Sequence, residues 1–354
     1  MKLNIWSGGS RRLWTFAAIF VAIAVTAATL SSAQAITFDP EKLKRAQKVG
    51  KVTWYGSIYP ESLRDRLVKD FEKRTGLDVN LYVGGTGQIV SRLKMERKAG
   101  SRNVDVFDGA DLEVINNELI KTGLLRPYVP TSAASITGKF KHPKSYWHGM
   151  YFWTLVLEYN TNFYNKDNAP KTFDVLNRPE YKGKVVVSDP ARSAAGLGFI
   201  KTMVHWKGWD WVEKFAKNNP LVVAIGPGVE QALVKGERPI GTVVSSFTSA
   251  TLKQGGPVAI SNPEHLFSSP EVVGVMKDAP NPDGAELLVE YLTSKEVHEM
   301  FKQSGWFPCR NDVSGPYGMP AAADLQLKFM SAPSIGLTRE DIAKRFHKML
   351  RDSK

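Results

Sequence analysis

Small hydroxyl residues cluster in this chain where strands end and helices begin. Gly241–Ala250 reads GTVVSSFTSA. Thr242, Val243 and Val244 close a β-strand, and Ser245, Ser246, Thr248 and Ser249 follow, with Phe247 among them. Such a junction either presents hydrogen-bond donors to a ligand or caps the helix that it opens. Gly85-Thr86-Gly87 is a second candidate. Its backbone N–H groups can cradle an oxyanion, or it is a tight turn with Thr86 as the cap. Ser57 and Tyr59 follow the first strand and can line the same edge. Asp111 can hold a cationic group such as an amine, or it is a helix-start acid favoured by the dipole. Trp147, Tyr151 and Trp153 can stack on a ligand ring, with core packing expected for at least two of them.

Other chemistries lack their residues. The six histidines, His142, His148, His205, His265, His298 and His347, are dispersed, and no H-E-x-x-H or C-x-x-C occurs. No metal site or cofactor is therefore expected. There is no G-x-S-x-G elbow, P-loop or dinucleotide fingerprint.

The elements that position these residues alternate. KVTWYG (Lys51–Gly56) is a strand pattern. A helix from about Pro60 to Thr75 follows, with Leu63, Leu67 and Phe71 on one face. Leu77–Gly84 is the next strand, a helix opens after Gly87, and Asn103–Phe107 is a third strand leading into Asp108-Gly109-Ala110-Asp111. Thr154–Tyr159, Lys184–Val187, Leu221–Ile225, Ile240–Val244 and Glu271–Met276 are further strands. Helices are expected at Ala194–Trp206, Trp209–Lys217, Val229–Lys235 and Pro282–Gln303. Strand, loop and helix with crossovers of this length predict an α/β fold with mainly parallel sheets. Ligands of such sheets sit in the loops beyond the strand C-termini.

Residues 1–35 have the parts of a cleaved signal peptide. Lys2, Arg11 and Arg12 precede the apolar run Phe16–Leu30, and Ala33-Gln34-Ala35 is a small-x-small cleavage site that would leave Ile36 at the new N-terminus. Ser10-Arg11-Arg12 also resembles a twin-arginine signal. The single cysteine, Cys309, excludes an internal disulfide. The net charge of +12 is spread along the 354 residues rather than clustered. With the export signal, that pattern argues against nucleic acid and for small anions or acidic surfaces.

Four segments in order resemble a known family: FEKRTGLDVNL (Phe71–Leu81), VDVFDGADLEVINNELIKTGLLRPY (Val104–Tyr128), LEYNTN (Leu157–Asn162) and PNPDGAELLVEYLTSKEVHEMFKQSGWFPCRNDV (Pro280–Val313). The chain is similar to the periplasmic solute-binding proteins of ABC importers, in the branch holding ferric-iron, phosphonate, sugar-phosphate and thiamine binders. The resemblance implies two α/β lobes joined by two crossover strands near Thr154–Asn160 and Val272–Met276, with the ligand in the cleft between them. Residues 36–153 would form the first part of lobe 1 and 154–272 lobe 2. Residues 273–354 would return to lobe 1 with the C-terminal helices. In the ferric binders, the strand end at Ser246 and Phe247 carries paired tyrosines, which are missing here. Ser193, Ala194 and Ala195 match the family's anion-holding helix start, where free N–H groups and the dipole attract an anion and Arg192 can add a bidentate clamp.

The expected protein is a monomeric, non-enzymatic periplasmic receptor that passes a small organic anion, a phosphonate or phosphate ester, to an inner-membrane ABC permease. A ferric-iron binder with atypical ligands, a thiamine-like cation binder held by Asp111 and aromatics, and a secreted hydrolase stay open as alternatives.

Overall fold

The computed structural model describes residues 36–57, 61–261, 266–329 and 336–353. The expected leader and Tyr59 lie outside the described residues.

The chain runs through α1 (Pro40–Val49), β1 (Lys51–Gly56), α2 (Glu61–Thr75), β2 (Asp78–Val83), α3 (Thr86–Lys98) and β3 (Val106–Gly109). Helix α4 (Leu112–Val114) continues as a π-helical segment to Ile120, before β4 (Leu125–Arg126) and the long β5 (His148–Asn160). Next come β6 (Val185–Ser188), α5 (Ala194–Lys217), β7 (Leu221–Val223), α6 (Gly226–Lys235), β8 (Ile240–Val244), α7 (Ser245–Lys253) and β9 (Val258–Ile260). The described elements end with β10 (Leu266–Met276), α8 (Pro282–Leu292), α9 (Lys295–Gln303), β11 (Phe307–Pro308), β12 (Leu327–Phe329) and α10 (Arg339–Asp352).

The main strands hydrogen-bond in the order β2-β1-β3-β10-β5-β8-β6-β7. Each flank is parallel, with β1 pairing β2 and β3, and β6 pairing β7 and β8. The centre is antiparallel. One end of β5 pairs with β10, and its other end pairs with β8 through Leu155–Tyr159. The two expected crossover strands are therefore β5 and β10, both longer than the sequence pattern indicated. They run side by side and join the flanks into one mixed sheet rather than two separate ones.

Alternation sorts β1 between two cores. Val52 and Trp54 pack with Leu63, Leu67 and Phe71 of α2 and with Leu288 and Tyr291 of α8, while Tyr55 faces Ile89, Leu93 and Phe107. At the other flank Phe199, Phe215, Val185 and Val187 share a core with Ile342 and Phe346 of α10. The C-terminal helix thus packs on α5, beside β6. This corrects the expectation that residues 273–354 return as a whole to the first lobe. Its apolar positions 342, 343 and 346 repeat at helical spacing and are buried there.

Two expected helix boundaries need physical comment. Gly208 adopts φ 75° inside α5, so the two helices expected on either side of it abut at a kink. The expected helix Pro282–Gln303 breaks at Ser294, whose side chain accepts the N–H of Val297 and caps α9.

Candidate ligand cleft

Helix α7 begins directly at the end of β8, and most of its hydroxyls hold it in place. Ser245 is fully buried, and its Oγ donates to the Gly305 carbonyl at 3.0 Å. Thr248, also buried, donates to a carboxylate oxygen of Glu158 at 3.1 Å. Gly305 has φ 81°, and a Cβ there would meet Ser249 Cβ at 2.7 Å and Ser246 Cα at 3.0 Å. A glycine is therefore needed for the backbone to approach α7 so closely. Ser246 and Phe247 face a cavity instead. The hydroxyl-rich stretch thus divides: Ser245 and Thr248 anchor the helix, and Ser246 and Phe247 meet solvent space.

The start of α5 faces the same cavity through Ala194 and Ala195. Ser193 is buried, and its Oγ accepts the N–H of Gly196 at 3.3 Å, which makes it the N-cap. That bond uses the oxygen as an acceptor and leaves the hydroxyl proton uncommitted, while Ser193 itself lies outside the cavity lining. Arg192 is exposed and lies outside the cavity lining.

The cavity has a volume of about 320 Å³. Ser57 and Glu271 enter it from one flank, the start of α5 and α7 from the other, and Tyr151, Trp153 and Trp306 form its aromatic wall. A neighbouring cavity of about 290 Å³ shares Trp153 and Ala194 with it, so the two form one cleft. Thr86 and Asp111 line that second part. Asp111 Oδ1 accepts the N–H of Val114 at 3.1 Å, as a helix-start acid does. Gly85, not Thr86, is the N-cap of α3, and its own N–H is taken by Gln88 Oε1 at 3.1 Å. Thr86 instead accepts the N–H of Ala110 at 3.0 Å and pins the loop after β3. Gly85 and Gly87 lie outside both linings, and Thr86 alone of the three lines the cleft. Of the three aromatics, Trp147 packs in the core with Ile115 and Leu119, whereas Tyr151 and Trp153 line the cleft.

Behind the cavity lies an acid pair. Asp108 is fully buried and Glu271 is 4% exposed. Asp108 accepts the backbone N–H of Ser57 at 2.8 Å and the indole N–H of Trp54 at 2.6 Å. The Ser57 hydroxyl contacts both carboxyl groups. Burial pushes the Asp108 carboxyl up to about 6, against the lowering effect of these donors. Burial, and then the charge of Asp108, push Glu271 well above the usual carboxylate range. More donors converge on Asp108 than on Glu271, which favours the ionised form at Asp108 over Glu271.

The family model for bacterial extracellular solute-binding proteins matches residues 103–326. The chain belongs to that family. A Salmonella paratyphi A periplasmic protein named for 2-aminoethylphosphonate binding is 26% identical over 264 residues, covering 69% of this chain and 73% of that protein. The thiamine-binding periplasmic protein of Brucella abortus is 23% identical over 270 residues, 73% of this chain and 77% of its own length. In fold, the chain resembles iron-bound HitA from Pseudomonas aeruginosa, with a TM-score of 0.62 at 20% identity, covering 86% of this chain and 99% of that one. The fold is the two-lobed α/β architecture of periplasmic binding proteins, as expected.

Sequence reasoning passed over Asp108, Glu271 and Trp306. Glu271 sits in PEVVGVM, where an acid inside a β-branched run is the available signal. Asp108 was visible only as part of an acidic loop, and Trp306 only as part of the GWFP segment.

Proposed function

We propose that this chain is the periplasmic receptor of an ABC importer, capturing a small organic oxyanion of the phosphonate or phosphate-ester class. One observation carries this reading. Two helix starts, Ala194-Ala195 of α5 and Ser246-Phe247 of α7, line a single cavity. Each brings backbone N–H groups and the positive end of a helix dipole to the same space. Ser246 adds a hydroxyl. The sites at 246 and 247 offer no phenolate, which disfavours a trivalent metal as cargo. The relative named for 2-aminoethylphosphonate binding supports the same class.

In this reading residues 36–153 with 273 to about 329 form one lobe, residues 154–272 form the other with the C-terminal helix added, and β5 and β10 are the hinge. Closure over the ligand is a hinge motion, the chain acts as a monomer without catalysis, and it hands its cargo to an inner-membrane permease. The leader directs it to the periplasm.

Calorimetric titration with ethylphosphonate, glycerol phosphate, ferric citrate and thiamine tests this, with small-angle scattering of each complex. Binding of an oxyanion with a smaller radius of gyration is expected. Binding of ferric citrate or thiamine alone, or turnover of a chromogenic phosphate ester, would overturn it.

A further inference from the structure

The cavity is unbalanced in charge. Glu271 lines it and Asp108 stands directly behind, both buried, yet among the described residues neither has a lysine, arginine or histidine within ion-pair distance. None of the residues lining the cavity is basic. A buried acid pair without a cation carries a desolvation cost that a shared proton only partly offsets. A positive group arriving with the ligand would take the place of that proton. The walls suit such a group. Tyr151, Trp153, Phe247 and Trp306 present aromatic faces, which attract cations through the ring quadrupole.

A second observation comes from Trp306. It lines the same cavity and is 5% exposed, and among the described residues its indole Nε1 has no hydrogen-bond partner. Buried donors of this kind are rarely left unpaired. Its ring packs on Tyr151, with centroids 5.1 Å apart, and Tyr151 is the cross-strand partner of Glu271. An unpaired donor and an acid without a counter-cation therefore stand on one wall. The acid calls for a cation.

We propose that Glu271, backed by Asp108 and Ser57, is an ammonium subsite, so that the ligand is a small amine-bearing oxyanion rather than a simple anion. This rests on the oxyanion reading above. The anionic end meets the starts of α5 and α7, while the amine lies against Glu271 beneath the aromatic wall.

The test compares a matched pair of probes, 2-aminoethylphosphonate and ethylphosphonate, by calorimetry on the wild-type chain and on Glu271→Gln. The wild type is expected to favour the amine by roughly tenfold to a hundredfold, since a hydrogen bond to a charged group is of that order. Glu271→Gln should bring the two affinities together. Equal wild-type affinities would overturn the ammonium subsite and leave the oxyanion reading standing. Discrimination that survives in Glu271→Gln would overturn the assignment to this residue. Failure of both probes to bind would overturn the subsite and the oxyanion reading together. The wild-type comparison decides the ligand class even if the variant does not fold.

Discussion

Thr248 donates its hydroxyl to Glu158 at 3.1 Å, and this bond ties the helix at the cleft to the central strand β5. Glu158 is fully buried beside Glu230, which is 7% exposed and receives the hydroxyl of Thr251 at 2.6 Å. Burial, and then the charge of Glu230, raise the Glu158 carboxyl well above its ordinary value, and burial raises Glu230 as well. The Thr248 bond thus ties α7 to β5, and the Thr251 bond ties α7 to α6. The sign of the acid pair's effect with pH follows from linkage. Groups raised in the folded state contribute stability fully below the ordinary carboxylate range and lose it as pH climbs through their folded values. Glu158→Gln keeps the acceptor for Thr248 and removes the ionisation. The melting temperature of the variant should therefore overtake that of the wild type as pH rises from 5 to 8.5. The difference can grow by up to about 1.4 kcal/mol per pH unit for one proton. A gap that is constant across this range would show that the pair does not titrate with unfolding.

Ser193 and Ser246 should respond differently to the same substitution. Ser193 caps α5, so Ser193→Ala should cost about 1 kcal/mol of stability. Ser246 lines the cavity, so Ser246→Ala should leave the melting curve of the unliganded chain in place and weaken ligand binding roughly tenfold. Melting curves with calorimetry on both variants check the division. Equal loss of affinity in both would return Ser193 to the ligand.

The division between anchor and cleft marks how far the sequence could be read. Periodicity located β8, whose bounds match the structure, and the two crossover strands, because buried strands carry continuous Val, Leu and Ile runs. Order along the chain placed Ser57, Ser246 and Phe247 at strand ends, the family resemblance singled out the helix start Ala194-Ala195, and all five line the cavity. What stayed hidden was the direction of side chains. Ser245 and Ser246 are the same residue type, one position apart, and a helical step of about 100° turns one to Gly305 and the other to the cavity. Glu271 is hidden for a related reason. Only the pairing of β10 with β3 and β5 shows that it lies beside Asp108, which is 163 positions away in the chain.

Thr86 bridges two elements, and that bridge can be cut without changing shape. Its Oγ1 accepts the Ala110 N–H at 3.0 Å, next to Gly109, where a Cβ would meet that same oxygen at 2.9 Å. Thr86→Val keeps the volume and removes the acceptor. The expected cost is about 1 kcal/mol, because the Ala110 N–H loses its partner. Thr86→Ser should restore most of it. Denaturant unfolding of the three chains tests this, and a Thr86→Val chain as stable as the wild type would show that the loop after β3 is held by other contacts.

Two glycines at helix starts should give opposite results. Gly196, in the first turn of α5, sits so close to β6 that a Cβ would fall on the Ser188 carbonyl. That obstacle is backbone, which cannot rotate away as a side chain can. Gly196→Ala should therefore separate α5 from β6, cost roughly 1–3 kcal/mol, and weaken ligand binding by moving Ala194 and Ala195. Gly87, in the first turn of α3, is exposed, and a Cβ there would meet nothing within 4 Å. Its φ is not in the left-handed region, so alanine fits without strain. Gly87→Ala should raise stability by roughly 0.4–1 kcal/mol by restricting the unfolded chain. It should leave ligand affinity unchanged, because Gly87 lies outside the cleft lining. Melting curves and calorimetry on both variants measure the two effects. A loss of affinity in Gly87→Ala with stability intact would restore the Gly85–Gly87 turn as a ligand cradle that forms when the cleft closes.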